Sequence, residues 1–394
     1  MKNVLIGNGI NIQFGGKAYT SDFILRRAKN RSRQGAYNEL MGNQITGKEL
    51  ANIFDGFVDI ANRLKKGKLD SYMKDEDLVL AVEDFKKRYN QWYPDKINTP
   101  EEIMLEDWFL LFQVFFLENI DLNAQRNAAV QGLEQIVLDA IYNGGKLQEL
   151  HKQMGKNVAK YLKEYDNIFT LNYDNNIEKL TGKMVNHLHG DFSVLKDSEN
   201  PDIVQGFLRK NAGEIIAKPE WAQCYCNALL NYSGDLKYRV ACENHKWNVE
   251  IERIISNYTS IEDVYKKYPH LKVCSSFLEQ WILTKINHPN LSIRTEYHFD
   301  KFQEIEGELD IIGLSPRNDA HIFRLVQENS KITKIHFFYF DDEDKDYIEG
   351  IFDKNKLEVE KVDLLWGKLG VSKKKYGIVI MILSKIYWKK FYLY

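Results

Sequence analysis

The chain has 394 residues, more than one compact core usually holds, so two or three structural units are expected. Hydrophobic residues make up 44% of the chain, a globular composition that argues against disorder. Lys plus Arg (54) nearly balance Asp plus Glu (56), and the net charge of −2 argues against a general electrostatic attraction to nucleic acid or anionic lipid.

Membrane insertion and secretion are also disfavoured. No segment of the sequence reaches the roughly 20 apolar residues of a membrane span. The opening stretch MKNVLIGNGI lacks the long apolar region and the small-residue cleavage site of a secretory signal. We therefore expect a soluble cytoplasmic protein with no membrane partner.

Short apolar runs predict the strands of a sheet. The first run, VLI at 4–6, leads directly into the turn GNG at 7–9, and similar runs follow at 167–172, 185–188, 309–313 and 335–340. Because these runs are continuous rather than alternating, they are typical of strands covered on both faces. The prediction is a Rossmann-like α/β fold, a parallel sheet flanked by helices, with ligands beyond the carboxyl ends of the strands.

Large helical insertions are predicted between the strands. The stretch that begins TPEEIM has Thr99 as N-cap, Pro100 at the first position and Glu102 completing a capping box. The next helix, within 122–143, is expected to stop at Gly144-Gly145. The predicted units are a Rossmann-like core at 1–30, 163–206 and 291–370, a helical insertion at 31–162, a second, mostly helical insertion at 207–290, and a basic and aromatic C-terminal segment at 371–394.

The first insertion contains an unusually aromatic helix. Its stretch EDWFLLFQVFFLENI has more aromatic residues than one helix face needs. Two interpretations stay open at this point: burial against another subunit or a partner protein, or the core of the inserted unit itself.

Two glycines follow the first predicted strand. The backbone amides of Gly7 and Gly9 can approach a phosphate before a helix N-terminus, but a tight strand-to-helix turn explains the same pattern. The G-x-G-x-x-G spacing of ordinary dehydrogenases fails because Ile12 occupies the third position. An ordinary dehydrogenase is therefore not predicted.

An amide side chain ends the second predicted strand. Asn172 can donate and accept at once, which suits the orientation of a water or a sugar hydroxyl. A structural asparagine that caps the next turn is the alternative. Asp174 and Glu178 are expected to cap and support the helix that follows.

Two histidines end the third predicted strand, in the stretch HLHGD. His189 precedes Gly190, which leaves room around the imidazole, and a neutral histidine can accept a proton near pH 7. His187 points to the opposite face of an extended segment, so only one of the two is expected in the crevice. A purely structural role for a lone histidine is the alternative.

The fourth strand leads into Gly313 and then Ser315, whose hydroxyl or N–H can hold a phosphate. A serine nucleophile elbow requires G-x-S-x-G, and Arg317 stands where the second glycine belongs, so a serine hydrolase is disfavoured. The cysteines give no pair of C-x-x-C zinc knuckles, and reduced thiols without a bound metal are expected. These cysteines are Cys224, Cys226, Cys242 and Cys274.

Together these pieces resemble the sirtuin-like domains of bacterial anti-phage defence proteins, and more closely the abortive-infection AbiH group of that superfamily. The resembling stretches, in the family's order, are VLIGNGINIQFGG…YTSDF, TLNYDNNIE, VNHLHGD followed by DIVQGF, and IIGLSPRNDAHIF. The two insertions carry no such resemblance. The AbiH opening usually has Asp where Asn11 stands, and the sirtuin opening has Ala where Asn8 stands, which leaves the details of cofactor binding open.

The resemblance implies a domain that binds NAD⁺ and, in the active defence members, hydrolyses it to nicotinamide and ADP-ribose. It implies Asn172 and His189 as the catalytic residues. The NAD-binding positions that it implies are Gly7, Asn8, Gly9, Asn11, Asp174, Gly190, Gly313 and Ser315. The chemistry suits the catalytic pair, because nicotinamide leaves as a neutral molecule and the oxocarbenium-like ribose then needs a held water and a base.

Other functions compete with this one. A protein deacylase would use the same cofactor and histidine, but sirtuin deacylases carry a four-cysteine zinc module that the spacing here does not supply. A non-enzymatic sensor that binds NAD⁺ or ADP-ribose and signals to the helical insertions is the alternative from another class. For the stretches VSKKKYG and YWKKFYLY, a solvated charged edge is favoured over nucleic-acid binding.

Control of the activity is also expected, because an enzyme that destroys NAD⁺ without restraint would kill its own host. A shift from a weakly active resting state requires a ligand or partner that binds one state better than the other. Self-association into a homo-oligomer, a partner defence protein and a phage-derived trigger are the candidates.

Overall fold

The computed structural model of the chain describes residues 1–41, 45–193, 223–224, 226–242, 253, 256–258, 260–269 and 297–371. Three parts of the chain lie outside the described residues: the stretch DIVQGF at 202–207, which is part of the family resemblance, most of the second insertion, and the C-terminal segment beyond residue 371.

The protein has a six-stranded sheet in which every neighbouring pair of strands is parallel. The strands are β1 (Lys2–Ile6), β2 (Asn167–Thr170), β3 (Asn186–His187), β4 (Gly307–Ile312), β5 (Ile332–Tyr339) and β6 (Leu357–Lys361). The first five lie at the predicted runs, which confirms the α/β prediction. Strand β6 was not predicted from the sequence. Its stretch LEVEK alternates apolar with charged residues, and it lies half-buried at one edge of the sheet.

The strand order is β3-β2-β1-β4-β5-β6. The chain therefore builds the sheet outward from β1 in two directions, first through β2 and β3 and then through β4, β5 and β6. This is the Rossmann order, in which a crevice is expected at the carboxyl ends of β1 and β4, where the order reverses. The predicted motif stretches follow β1, β2, β3 and β4, so the fold brings all of them to the same edge.

Helices surround the sheet and fill the first insertion. They are α1 (Gly9–Gly15), α2 (Ser21–Arg33), α3 (Gly47–Lys65), α4 (Glu76–Trp92), α5 (Asp107–Glu118), α6 (Arg126–Tyr142), α7 (Lys156–Lys163), α8 (Asn176–Thr181), α9 (Ile261–Lys267), α10 (Phe299–Gln303), α11 (Pro316–Glu328), α12 (Asp342–Ile351) and α13 (Val362–Lys368). Residues 234–242 are also helical. Within the described ranges, no helix is long and apolar enough to cross a membrane.

The helix predicted to begin at Thr99 begins later. The capping box of Thr99 and Glu102 is present, but it closes a 3₁₀ turn, Pro100–Glu102. The chain is then extended at Ile103, whose side chain is buried, and α5 begins at Asp107. Burial of Ile103 in the core interrupts the helix that the local capping signal starts.

The aromatic helix α5 forms the centre of the inserted unit. Trp108, Phe109, Phe112 and Phe116 are buried within the chain itself. Trp108 and Phe112 pack against Phe57 of α3, with ring centroids 6.4 Å apart in both pairs. This packing confirms the core interpretation for these residues, in place of burial against another subunit or a partner protein.

Candidate functional site

The carboxyl ends of β1, β2, β3 and β4 are joined by hydrogen bonds between the segments that follow them. The Asn172 side-chain amide donates to the carbonyl of Gly7 (3.2 Å), which joins the end of β2 to the end of β1. Nδ1 of His187 donates to the carbonyl of Asn172 (2.8 Å), which joins β3 to β2. The N–H of Gly9 donates to the carbonyl of Gly313 (2.9 Å), which joins β1 to β4. The structure thus gathers the separate motif stretches at one edge of the sheet.

The glycine turn after β1 packs directly against the loop after β4. A Cβ on Gly9 would lie 2.5 Å from the Cα of Gly313, and a Cβ on Gly7 would lie 2.4 Å from its carbonyl oxygen. The N–H of Gly7 donates to the carbonyl of Ile312 and that of Gly9 to the carbonyl of Gly313, both at 2.9 Å. Both N–H groups are used in this contact, so the structure does not support the expected binding of a diphosphate by the amides of Gly7 and Gly9. These glycines serve close packing of two loops.

Ser315 is the N-cap of α11, not a free phosphate donor. Its hydroxyl accepts from the N–H of Arg317 and donates to a carboxylate oxygen of Asp344 (3.1 Å). Burial, together with the neighbouring Asp341, raises the pKa of Asp344 to about 6. The hydroxyl proton of Ser315 is already donated to Asp344, so the expected phosphate contact of Ser315 is not supported either.

Asn172 is buried, with 7% of its surface exposed, and connects two strands. Its backbone N–H donates to the hydroxyl of Thr170 (3.0 Å), and its side chain bonds the Gly7 carbonyl. Removing a buried amide of this kind from water is costly unless it is paired, and here it is paired. The side chain is held at the strand end, where the sequence predicted it.

Asn11 and Asp174 form a buried hydrogen bond next to this position. The side-chain amide of Asn11 donates to Oδ2 of Asp174 (2.6 Å), and Asn8 donates from its amide to the carbonyl of Tyr19 (2.9 Å). Oδ1 of Asp174 accepts from the N–H of Asn176 (3.1 Å) at the start of α8, which confirms the predicted capping role. Burial raises the pKa of Asp174. An aspartate at position 11, as the AbiH pattern has it, could donate this bond only when protonated.

His187 has a structural role. Its Nε2 lies 2.6 Å from Oε1 of Glu178, and its Nδ1 donates to the carbonyl of Asn172. Burial alone would lower the pKa of His187, but the hydrogen bond and charge of Glu178 outweigh it and raise the pKa above its usual value. His187 and Glu178 therefore hold Asn172 and α8 in place, the support that was predicted for Glu178.

His189 is buried, with 3% of its surface exposed, and it faces another histidine. Its Nε2 lies 3.4 Å from Nε2 of His321, and the two rings are nearly parallel, with an interplanar angle of 17°. Burial lowers the pKa of His189 well below its usual value, and the positive charge of Lys237 and the neighbouring His321 lower it further. The imidazole is therefore neutral at pH 7, which is the form that can accept a proton.

A segment of the second insertion covers the His-Gly turn. The N–H of Leu229 donates to the carbonyl of His189 (2.8 Å), and the N–H of Asp191 donates to Oδ1 of Asn227 (2.8 Å). Gly190, at φ 82°, allows this contact, because a Cβ there would lie 2.4 Å from the carbonyl oxygen of Asn227. The missing side chain of Gly190 therefore leaves room for the backbone of Asn227 and not for a ligand.

A cavity of about 940 Å³ lies beside these segments. Asn175 and Phe192 line this cavity. Asn175 lies three residues after Asn172, and Phe192 lies three residues after His189. Neither Asn172 nor His189 itself lines it. The lining includes aromatic rings, amides, two lysines and one glutamate: Tyr19, Tyr142, Phe192, Asn143, Asn175, Gln148, Gln153, Lys146, Lys179 and Glu149.

The sequence reading missed a buried group of ionisable side chains near His189. Lys237, with 2% of its surface exposed, lies 3.2 Å from a carboxylate oxygen of Glu106 in the first insertion. Burial and the charge of Glu106 raise the pKa of Asp319 to about 7. His321 and Asp319 both lie on α11, in the motif stretch SPRNDAHIF. Because they follow Ser315 by six and four residues on a helix that starts at this strand end, their spacing could have predicted that they lie near the site. No sequence pattern marked Glu106 and Lys237, which come from the two insertions.

Possible metal ligands and cysteine thiols are the remaining reactive groups that the sequence singled out. Over the described part of the chain, no three His, Cys, Asp or Glu side chains come together as a metal site. Within the described ranges, Cys224, Cys226 and Cys242 form no disulfide, and burial raises the pKa of Cys224. Cys274 lies outside the described residues.

Comparison with known proteins does not assign the chain to a family. No family model matches it, and neither a curated protein nor a solved structure does. The function is therefore inferred from the fold, the site and the motif stretches.

Proposed function

We propose that the protein is an NAD⁺ glycohydrolase of anti-phage defence, which cleaves NAD⁺ to nicotinamide and ADP-ribose and whose activity is regulated. One observation carries the proposal. Asn172 and His189 follow adjacent strands of a Rossmann-ordered sheet, and both segments continue within three residues into the same cavity. The defence role rests on the AbiH resemblance of the motif stretches.

The cavity suits a dinucleotide in size and in chemistry. Its volume of about 940 Å³ lies in the range of known small-molecule sites. Tyr142 and Phe192, with ring centroids 5.2 Å apart, offer apolar surface to an aromatic base. Lys146 and Lys179 line the cavity and carry the positive charge that a diphosphate needs. These lysines replace Gly7, Gly9 and Ser315 as the proposed diphosphate contacts.

The chemistry assigns one task to each catalytic residue. Nicotinamide leaves NAD⁺ as a neutral molecule, so the departing base needs no strong acid. The ribose cation that remains requires a water or a ribose hydroxyl held on the correct face, and Asn172 can hold it through its amide. His189, neutral at pH 7, accepts the proton that is released.

The burial of both residues supports regulated activity. Asn172 and His189 have 7% and 3% of their surfaces exposed, and the segment 226–230 packs on the His-Gly turn. The ribose of a substrate in the cavity must reach these side chains, so the cover has to move before cleavage. A homo-oligomer contact, a partner defence protein or a phage-derived trigger that binds the opened state better would activate the enzyme.

The test is direct. Purified full-length protein is incubated with NAD⁺, with and without phage lysate, and the products are separated by chromatography. We expect nicotinamide and ADP-ribose in equal amounts. Intact NAD⁺ under every condition, with NAD⁺ bound, would contradict cleavage. It would instead favour the alternative function, a non-enzymatic NAD⁺ or ADP-ribose sensor, which is supported by the absence of Asn172 and His189 from the cavity lining.

The lysines give a separate prediction. The double variant K146A/K179A should raise KM for NAD⁺ by about 30-fold and leave kcat unchanged, because each of the two lost contacts to a charged phosphate is worth roughly 1 kcal/mol at an exposed site. Initial rates against NAD⁺ concentration measure both constants. Lys354→Ala is the matched control, since this exposed lysine precedes β6 at the opposite end of the sheet. An unchanged KM in the double variant would place the diphosphate elsewhere.

A further inference from the structure

The contact between His189 and His321 joins two imidazoles through the same ring atom. The two Nε2 atoms lie 3.4 Å apart, and both side chains have 3% of their surface exposed. His189 comes from the turn after β3, and His321 from α11, which follows β4. Nothing in the chemistry of NAD⁺ cleavage, as proposed above, uses His321.

The protonation of this pair is restricted. Two Nε2–H groups facing each other would clash, and two lone pairs facing each other would form no bond, so one proton lies between the rings. Burial lowers the pKa of His321 well below its usual value, and the positive charge of Lys237 lowers it further, as it does for His189. Both rings are therefore neutral, and each carries its single proton on one nitrogen.

Two tautomeric arrangements satisfy these conditions. If Nε2 of His321 holds the shared proton, Nε2 of His189 accepts it and Nδ1 of His189 carries the other proton. His189 then has no free lone pair. If Nε2 of His189 holds the shared proton, Nδ1 of His189 is a free acceptor, and Nδ1 of His321 carries a proton.

We infer that His321 is the positioning residue of His189: its Nε2 accepts the Nε2 proton of His189, which fixes the tautomer and leaves Nδ1 of His189 as the acceptor of the proton that the reaction releases. The inference rests on the proposed function. In the reaction, the proton of the water or ribose hydroxyl passes to Nδ1 of His189. The resulting imidazolium keeps its Nε2–H bonded to His321.

This arrangement requires a hydrogen-bond acceptor for a further atom. Nδ1 of His321 is buried and has no hydrogen-bond partner among the residues that the structure describes. With the shared proton on His189, this atom is a buried N–H donor whose acceptor is missing. An oxygen of the bound substrate, or a water that enters with it, completes the site.

The experiment uses full-length protein labelled with [¹⁵N]histidine. Long-range ¹H–¹⁵N correlation spectra report which ring nitrogen carries the proton, and the His189 signals are identified by their loss in His189→Gln. We expect His189 protonated at Nε2 in the wild type. In His321→Leu, which fills the space with an apolar side chain and removes the acceptor, this tautomer preference should be lost and kcat should fall on the order of 10²-fold or more with KM unchanged. His321→Gln, whose side-chain oxygen can accept the same proton, should restore both the tautomer and most of kcat.

His336→Leu is the matched control, because this half-buried histidine on β5 lies beside Glu360 and away from His189. A wild-type His189 protonated at Nδ1, or a His321→Leu variant with unchanged spectra and kcat, would overturn the inference. The spectra require no turnover. If the expected spectra are seen but no NAD⁺ is cleaved under any condition, the pairing stands and the proposed function fails.

Discussion

Asn172→Ala and His189→Ala should each lower kcat for NAD⁺ cleavage by about 10²–10⁴-fold, the usual cost of losing a positioned proton acceptor or its orienting group. Both proteins should remain folded. Asn172→Ala loses one hydrogen bond, to the Gly7 carbonyl, which contributes about 1 kcal/mol to stability. Product formation by chromatography gives the rates, and circular dichroism with thermal unfolding checks the fold.

His187→Ala is the informative comparison for this experiment. His187 has no proposed role in the chemistry, but it donates to the carbonyl of Asn172 and bonds Glu178. We expect a smaller loss of kcat than for His189→Ala and a larger loss of thermal stability. If His187 proved essential while His189 was dispensable, the assignment of the two histidines would be reversed.

The second large effect concerns the stability of the inserted helical unit. Asp107→Ala should lower the free energy of unfolding by about 3–5 kcal/mol, because it leaves a buried guanidinium without its main partner. Arg88 and Asp107 have 4% and 0% of their surfaces exposed, and Nη1 and Nη2 of Arg88 each donate to one carboxylate oxygen of Asp107 at 2.8 Å. Tyr89 donates its hydroxyl proton to the same carboxylate (2.9 Å). Chemical denaturation followed by fluorescence measures the change.

The variant D84N/R88M/D107L is the matched control, because Nε of Arg88 also donates to Asp84 (2.7 Å) and this carboxylate would otherwise lose its partner. Replacing a buried ion pair by apolar side chains of similar size removes the cost of taking the charges out of water, so it is often neutral or stabilising. We expect this variant to be clearly more stable than Asp107→Ala. Equal destabilisation of the two would show that the packing of α4 against α5, and not the unpaired charge, decides the effect. Activity is informative as well, since Arg88 also contacts Ser233 of the second insertion (3.3 Å).

Local sequence signals predicted most of the sheet. The apolar runs at 4–6, 167–172, 185–188, 309–313 and 335–340 each became a strand, because the strand tendency of a short apolar run and the turn that ends it are set by neighbours in the chain. Strand β6 was not predicted, because its stretch LEVEK is not a continuous apolar run. Its charged residues Glu358 and Glu360 are tolerated at a half-buried sheet edge, and only the sheet defines that edge.

The local helix-capping signal was correct, but packing in the core decided where the helix begins. Thr99 and Glu102 do form their capping box, yet the helix begins at Asp107 because the core takes up the side chain of the extended Ile103. The aromatic residues of α5 were compatible with a subunit interface or an internal core. The packing of Trp108 and Phe112 on Phe57 of α3 decided for the core.

The sequence by itself determined that Asn172 and His189 would each follow the end of a strand, since a polar turn ends each apolar run and the carboxyl ends of parallel strands lie at the same edge of the sheet. It did not determine what the polar atoms bond to. The amides of Gly7 and Gly9 are used by the loop after β4, and His189 meets a histidine 132 residues away. Only the tertiary structure decides such partners, because a buried donor takes the acceptor that packing brings within reach, and elements distant in the chain supply that acceptor.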